Sequence, residues 1–190
     1  MTNKPVTYPL PEGTFLTLPP DADYSVNILK YTDDESRPYE VIINRAQLAD
    51  GQTVEDFYEM QQQRMRQFTP GYTPEGEILI QELGPSKLPV LQAANRFLNN
   101  GEWTTQILSV IRLPYESSLN PSQNNLLIFT LATAGEFTDS QRKHYVRIMN
   151  SFTAAETPLA FTDSQRKHYV RIMNSFTAAE TPLATSGTVE

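Results

Sequence analysis

The sequence predicts an α+β fold: an antiparallel β-sheet with helices packed on one face. Three observations point there. Runs such as Tyr24 to Tyr31, Tyr39 to Arg45 and Glu102 to Leu113 are rich in β-branched and aromatic residues and are bounded by turn formers. Two segments switch to helical spacing, Thr53 to Phe68 and the stretch that follows Thr138. Consecutive strands joined by hairpins pair antiparallel, which leaves the helices to cover a face.

Taken in order, residues 1–12 are proline-rich and polar and read as an irregular N-terminal arm. Thr14 to Leu18 reads as a short strand stopped by Pro19-Pro20. Tyr24 to Tyr31 and Tyr39 to Arg45 form a β pair across the turn-forming TDDESRP. In the first helix Val54, Phe57, Tyr58, Gln61, Met65 and Phe68 fall at helical spacing. Thr53 is its N-cap, Asp56 sits at the capping-box position, and Pro70-Gly71 ends it. Glu77 to Leu83 and Leu88 to Leu98 flank the turn Gly84-Pro85. Asn99-Asn100-Gly101 is a strong hairpin signal leading into Glu102 to Leu113. After a polar loop come the strand Leu126 to Thr133 and a helix that sets Tyr145, Ile148, Met149 and Phe152 on one face.

That last element occurs twice. Phe137 to Ala160 is repeated letter for letter as Phe161 to Ala184, 24 identical residues in a chain of 190. A solenoid needs three or more repeats to build a core, so one extra copy is an addition and not an architecture. The organisation expected is an arm at 1–12, one domain at 13–160, the duplicate at 161–184 and a disordered tail at 185–190. Both copies carry the same apolar face. Docking the second would lengthen the preceding loop by a whole copy and cost roughly 2 kcal/mol in closure entropy, so the first copy is expected in the socket.

The strands carry an oddity. Val26 and Ile28 oppose Leu29 and Tyr31, Val41 and Ile43 oppose Ile42, and Ile107 and Ile111 oppose Leu108 and Val110. A sheet covered on one side should alternate apolar with polar. Apolar residues on both sides mean either a core on each side or an apolar groove kept for a partner.

Composition narrows the function. With 15 Lys+Arg against 22 Asp+Glu the net charge is −7, and no basic stripe offers the footprint of a nucleic-acid reader. There is no cysteine for disulfides, thiol nucleophiles or thiolate metal sites. No run approaches the ~18 apolar residues of a membrane span, and the N-terminal MTNKPVTYPLPEGTF lacks an apolar signal core, so a soluble cytoplasmic protein is expected.

Catalysis has little to work with. His144, repeated as His168, lies beside Arg142, Lys143 and Arg147 on a helix and reads as a solvated histidine. Asp33-Asp34-Glu35 lacks the spacing of a calcium loop and reads as a solvated turn. No phosphate-cradling glycine loop occurs. No catalytic residue, metal site or cofactor is expected. Glutamines are more informative: Gln61, Gln62, Gln63, Gln81, Gln92 and Gln106 place amides on or beside the sheet. At the edge of an apolar groove an amide can bond polar atoms of a bound helix without the desolvation cost of a charge.

The segment SVNILKY…YEVIINRAQLADGQTVEDFYEMQQQRMRQF, then LPVLQAANRF…GEWTTQILSVIRL and FTDSQRKHYVRIMNSF, resembles the DUF1795 proteins of PsbP/Mog1-like fold. Among these it most resembles the Eag chaperones of type VI secretion. The likeness covers about Gly13 to Phe152 and rests on the order and spacing of its parts. It implies a non-enzymatic homodimer that holds the apolar N-terminal transmembrane helices of a secreted effector in the cytoplasm and aids loading onto the VgrG spike. It also implies a client groove, placed here at Val26, Ile28, Val41, Ile43, Gln62, Gln106 and Leu108. Two other classes compete with it. One is a ligand-binding or scaffold domain of PsbP/Mog1 type. The other is a small hydrolase, against which the missing nucleophile–base pair counts.

Overall fold

A computed structural model describes residues 5–18, 20–116 and 120–155. Among the described residues, alternating apolar residues build eight strands: β1 (Val6–Leu10), β2 (Gly13–Thr17), β3 (Val26–Thr32), β4 (Pro38–Gln47), β5 (Thr73–Leu83), β6 (Leu88–Asn99), β7 (Glu102–Arg112) and β8 (Asn125–Ala134). Two helices accompany them, α1 (Val54–Phe68) between β4 and β5, and α2 (Asp139–Ser151) after β8. The α+β class with an antiparallel sheet holds.

Six strands form one sheet in the order β3-β4-β8-β7-β6-β5, every neighbour antiparallel. β3–β4 is a hairpin at one edge. From β4 the chain passes through α1 to the far edge and returns strand by strand until β8 pairs with β4. The β6–β7 turn is built as its sequence demands. Asn100 and Gly101 both take positive φ, +50° and +85°, the geometry of a two-residue hairpin turn.

Both helices start from capping boxes. Thr53 Oγ1 accepts from the Asp56 amide while Asp56 Oδ2 accepts from the Thr53 amide, each at 3.0 Å. Thr138 and Gln141 repeat the arrangement at α2.

The placement of the helices differs from the sequence expectation. α2 sets Tyr145 and Met149 against Val41, Val90, Ile111, Phe129 and Leu131. α1 sets Phe57 and Tyr58 against Leu91, Ala93, Val110 and Leu126. Val90 and Leu91 are adjacent in β6, and Val110 and Ile111 in β7, so the two clusters lie on opposite faces of the sheet. The helices therefore do not share a face. The apolar residues on both sides of β6, β7 and β8 are explained by this, since each side has a helix to cover it.

The expected irregular arm is a second, separate sheet in which β1 pairs β2, Val6 opposite Thr17 and Leu10 opposite Gly13. Pro9 is tolerated because a two-stranded hairpin has free edges where a missing N–H costs no ladder bond. Tyr8 and Phe15 face each other with ring centroids 5.2 Å apart.

The first copy of the duplicated element occupies the expected socket. Tyr145 and Met149 are buried, and Ile148 and Phe152 pack on the same cluster. The second copy, 161–184, and the tail at 185–190 lie outside the described residues.

Candidate functional site: an open apolar sheet face

The register assembles the site from strands far apart in sequence. On the α1 side of the sheet, one rung runs Val26–Asn44–Ile128–Val110–Leu91. The next runs Ile28–Ile42–Thr130–Leu108–Ala93, and a third Lys30–Glu40–Ala132–Gln106–Asn95. α1 covers the β6–β7–β8 end of these rungs. At the β3 end the apolar side chains emerge: Val26 is 53% exposed and Ile28 56%, with Ile42 half-buried beside them. The result is a slope of apolar side chains descending from an open edge toward the helix-covered core.

Four of the seven expected groove residues, Val26, Ile28, Gln106 and Leu108, share this face. Val41 and Ile43 do not. They point to the α2 side, where Val41 is 0% exposed in the core and Ile43 packs against the same cluster. The pairing of Ile28 with Ile42, not with Val41, decides the matter. The seventh, Gln62, stands half-buried on α1 and donates from Nε2 to the Tyr58 hydroxyl at 2.7 Å. Tyr58 in turn neighbours Tyr72, whose pKa burial and that second phenol push up to about 12.

The polar members gather in the third rung, where Lys30, Glu40, Gln106 and Asn95 border the apolar part, with Asn44 and Thr130 in the first two. Gln106 is half-buried and sits directly across from Asn95, whose buried Oδ1 has no hydrogen-bond partner among the described residues. Thr130 and Ala132 are buried and small, which keeps the middle of the slope low.

Gln81 and Gln92 serve the opposite face. Gln81 Nε2 donates to Gln92 Oε1, and Gln92 Nε2 donates to Ser109 Oγ at 2.9 Å. Ser109 Oγ also lies 2.8 Å from the Tyr145 hydroxyl. This polar line seats α2 and is not part of the open face. Glutamine count alone carried no signal for which side each amide would take.

Two readings of individual residues change. His144 is not simply solvated: its Nδ1 is 2.8 Å from the Tyr39 hydroxyl and its ring stands edge-on to Tyr31 at 4.8 Å. Asp33 is not a free turn carboxylate either. Its Oδ2 accepts from Thr138 Oγ1 at 2.8 Å and Gln141 Nε2 at 2.9 Å, and its Oδ1 from the Arg37 amide at 2.8 Å. Desolvation pulls its pKa upward, yet these donors hold it below the ordinary carboxylate value. Among the described residues no group of three or more His, Cys, Asp or Glu could hold a metal ion, and no helix is long and apolar enough to cross a membrane.

In sequence, the DcrB family model matches residues 12–151. No curated protein matches the chain. Among solved structures, PA94 of Pseudomonas aeruginosa, a protein of unknown function, aligns over 95% of this chain and 99% of its own. Its TM-score is 0.51 and its identity 14%, a likeness of fold alone. LpqN, involved in cell envelope biogenesis of Mycobacterium tuberculosis, aligns over 73% of this chain and 87% of its own, with TM-score 0.43 and 12% identity.

Proposed function

The chain belongs to the DcrB family, and from that premise we propose that its open sheet face holds an apolar helix of a client protein. The observation that carries this reading is the exposure of Val26 and Ile28 at the head of rungs that continue through Ile42 and Leu108. Singly exposed apolar residues are ordinary, but Val26, Ile28 and Ile42 stand together at the open end of a regular sheet, a surface suited to a partner.

A helix long enough to span a membrane aggregates in water unless its apolar surface is covered. Burying roughly 500 Å² of it would contribute about 12 kcal/mol before ordering costs. Gln106 stands where a half-buried amide can meet a polar atom of that helix. The client in this reading is a type VI secretion effector with apolar N-terminal helices. It is held in the cytoplasm by a homodimer of this chain and passed to the VgrG spike. Nothing in it requires catalysis.

The test is co-expression of the full chain with an effector fragment bearing such helices. A soluble complex is expected with the natural sequence and none with Ile28→Asp, whose fold should be intact because the side chain is exposed. Equal solubilisation by Ile28→Asp would overturn the reading.

A further inference from the structure

On the α2 side of the sheet, α2 and the β3–β4 hairpin border an open hollow of about 450 Å³, within the range of about 300–1,000 Å³ that holds small molecules. Its floor is aromatic. The Tyr31 and Tyr39 rings stack with centroids 5.3 Å apart, and the His144 ring stands edge-on to them at 4.8 Å and 5.9 Å. The two walls are tied to each other by contacts that involve no ligand. His144 Nδ1 lies 2.8 Å from the Tyr39 hydroxyl, and Asp33 Oδ2 accepts from Thr138 Oγ1 and Gln141 Nε2 at the start of the helix. A site held ready in this way loses little binding energy to ordering.

The charges around the floor are sorted by sign. Lys143 and Arg147 line the hollow one helical turn apart, and neither has an ion-pair partner among the described residues. Asp33 and Asp34 line it from the hairpin turn. Asp33 is bonded to Thr138, and from there Lys143 and Arg147 lie roughly 8 Å and 14 Å further along the helix axis. One oxyanion can therefore sit between the two cations and clear of the carboxylates. A second negative charge reaching across the floor would meet Asp34 and be repelled. We infer that this hollow binds a small aromatic monoanion, with its single carboxylate on Lys143 and Arg147 and its ring against Tyr31 and His144. Such a ligand differs from a client helix in size, charge and the face it occupies, so the inference stands apart from the proposed function.

The duplication supplies an internal control, because Lys143 and Arg147 recur as Lys167 and Arg171. The test is calorimetric titration of the full chain with cinnamate, an aromatic monocarboxylate, at low salt. Saturable binding is expected, with none for the neutral cinnamyl alcohol and weaker binding for the polyanion citrate. Lys143→Gln combined with Arg147→Gln should weaken cinnamate at least tenfold with an unchanged circular dichroism spectrum, since both side chains are exposed. The same pair of changes at Lys167 and Arg171 should have no effect, because the first copy is the one that meets the β3–β4 hairpin. Ile28→Asp on the opposite face should also leave the titration unchanged. Absence of cinnamate binding would overturn the inference, as would equal weakening by the second-copy changes, which would reduce the site to a cationic helix. Citrate binding more tightly than cinnamate would overturn the preference for a single charge, and loss of binding in Ile28→Asp would move the ligand to the apolar slope.

Discussion

The Tyr145 hydroxyl, buried under α2, donates to the main-chain carbonyl oxygen of Phe129 at 3.0 Å. A helix side chain thus bonds the backbone of the central strand β8, and Ser109 Oγ stands 2.8 Å from the same hydroxyl. Desolvation pushes the phenol's pKa up, so it remains a neutral donor throughout the physiological range. Tyr145→Phe keeps the ring packing, removes the donor to the buried Phe129 carbonyl oxygen and leaves Ser109 Oγ with its Gln92 partner alone. Urea unfolding should show a loss of about 1–3 kcal/mol. An unchanged midpoint would mean that the hydroxyl contributes nothing.

Ile28 and Val41 should respond oppositely to the same change. Ile28→Asp places a carboxylate at an exposed edge, so thermal unfolding should move little while client solubilisation is lost. Val41→Asp places one in a core position with 0% exposure and should unfold the protein outright, at a cost on the order of 4 kcal/mol or more. A folded Val41→Asp that loses only client binding would reverse the assignment of faces.

Gly84 is constrained twice. Its φ is +67°, and a Cβ there would lie 2.5 Å from the Phe152 carbonyl oxygen. Gly84→Ala should cost about 2 kcal/mol or more through backbone strain and the displacement of the chain after α2. The readout is the urea midpoint.

Asp33 predicts a pH signature. Its folded pKa is lowered from 3.8, so the carboxylate form stabilises the fold. That stability is fully present above the unfolded value and fades as pH falls through the folded one. Asp33→Asn should therefore lower the melting temperature at neutral pH, and the gap to the natural chain should close in acid well below pH 3.8. A gap independent of pH would assign the effect to packing and not to charge.

Local signals were legible in the chain where their chemistry is local. The Thr53–Asp56 capping box and the Asn100-Gly101 turn are readable because both partners lie within a few residues. The sharing of faces is not local. Period-two alternation says that Val41 and Ile42 point apart, but only the β3–β4 register says that Ile28 sides with Ile42. Likewise, the apolar stripe of α1 matches either side of a sheet that is apolar on both. The seat of His144 escaped for the same reason, because its partner Tyr39 is 105 residues away.

The strand order has a consequence for synthesis. β4, which carries Ile42 and Val41 on its two faces, has only β3 beside it until β8 exists, and β8 is the last strand made among the described residues. The hairpins β5–β6–β7 can close as they leave the ribosome, whereas the β3–β4 pair must wait for some eighty residues more. Throughout that wait the Ile42 face has Ile28 of β3 beside it but not Thr130 of β8, and the Val41 face has neither β8 nor α2. A nascent chain is thus greasiest where the finished protein keeps its open slope. Slow translation through residues 48–124 would prolong that exposure, and the finished groove is the portion of it that folding leaves uncovered.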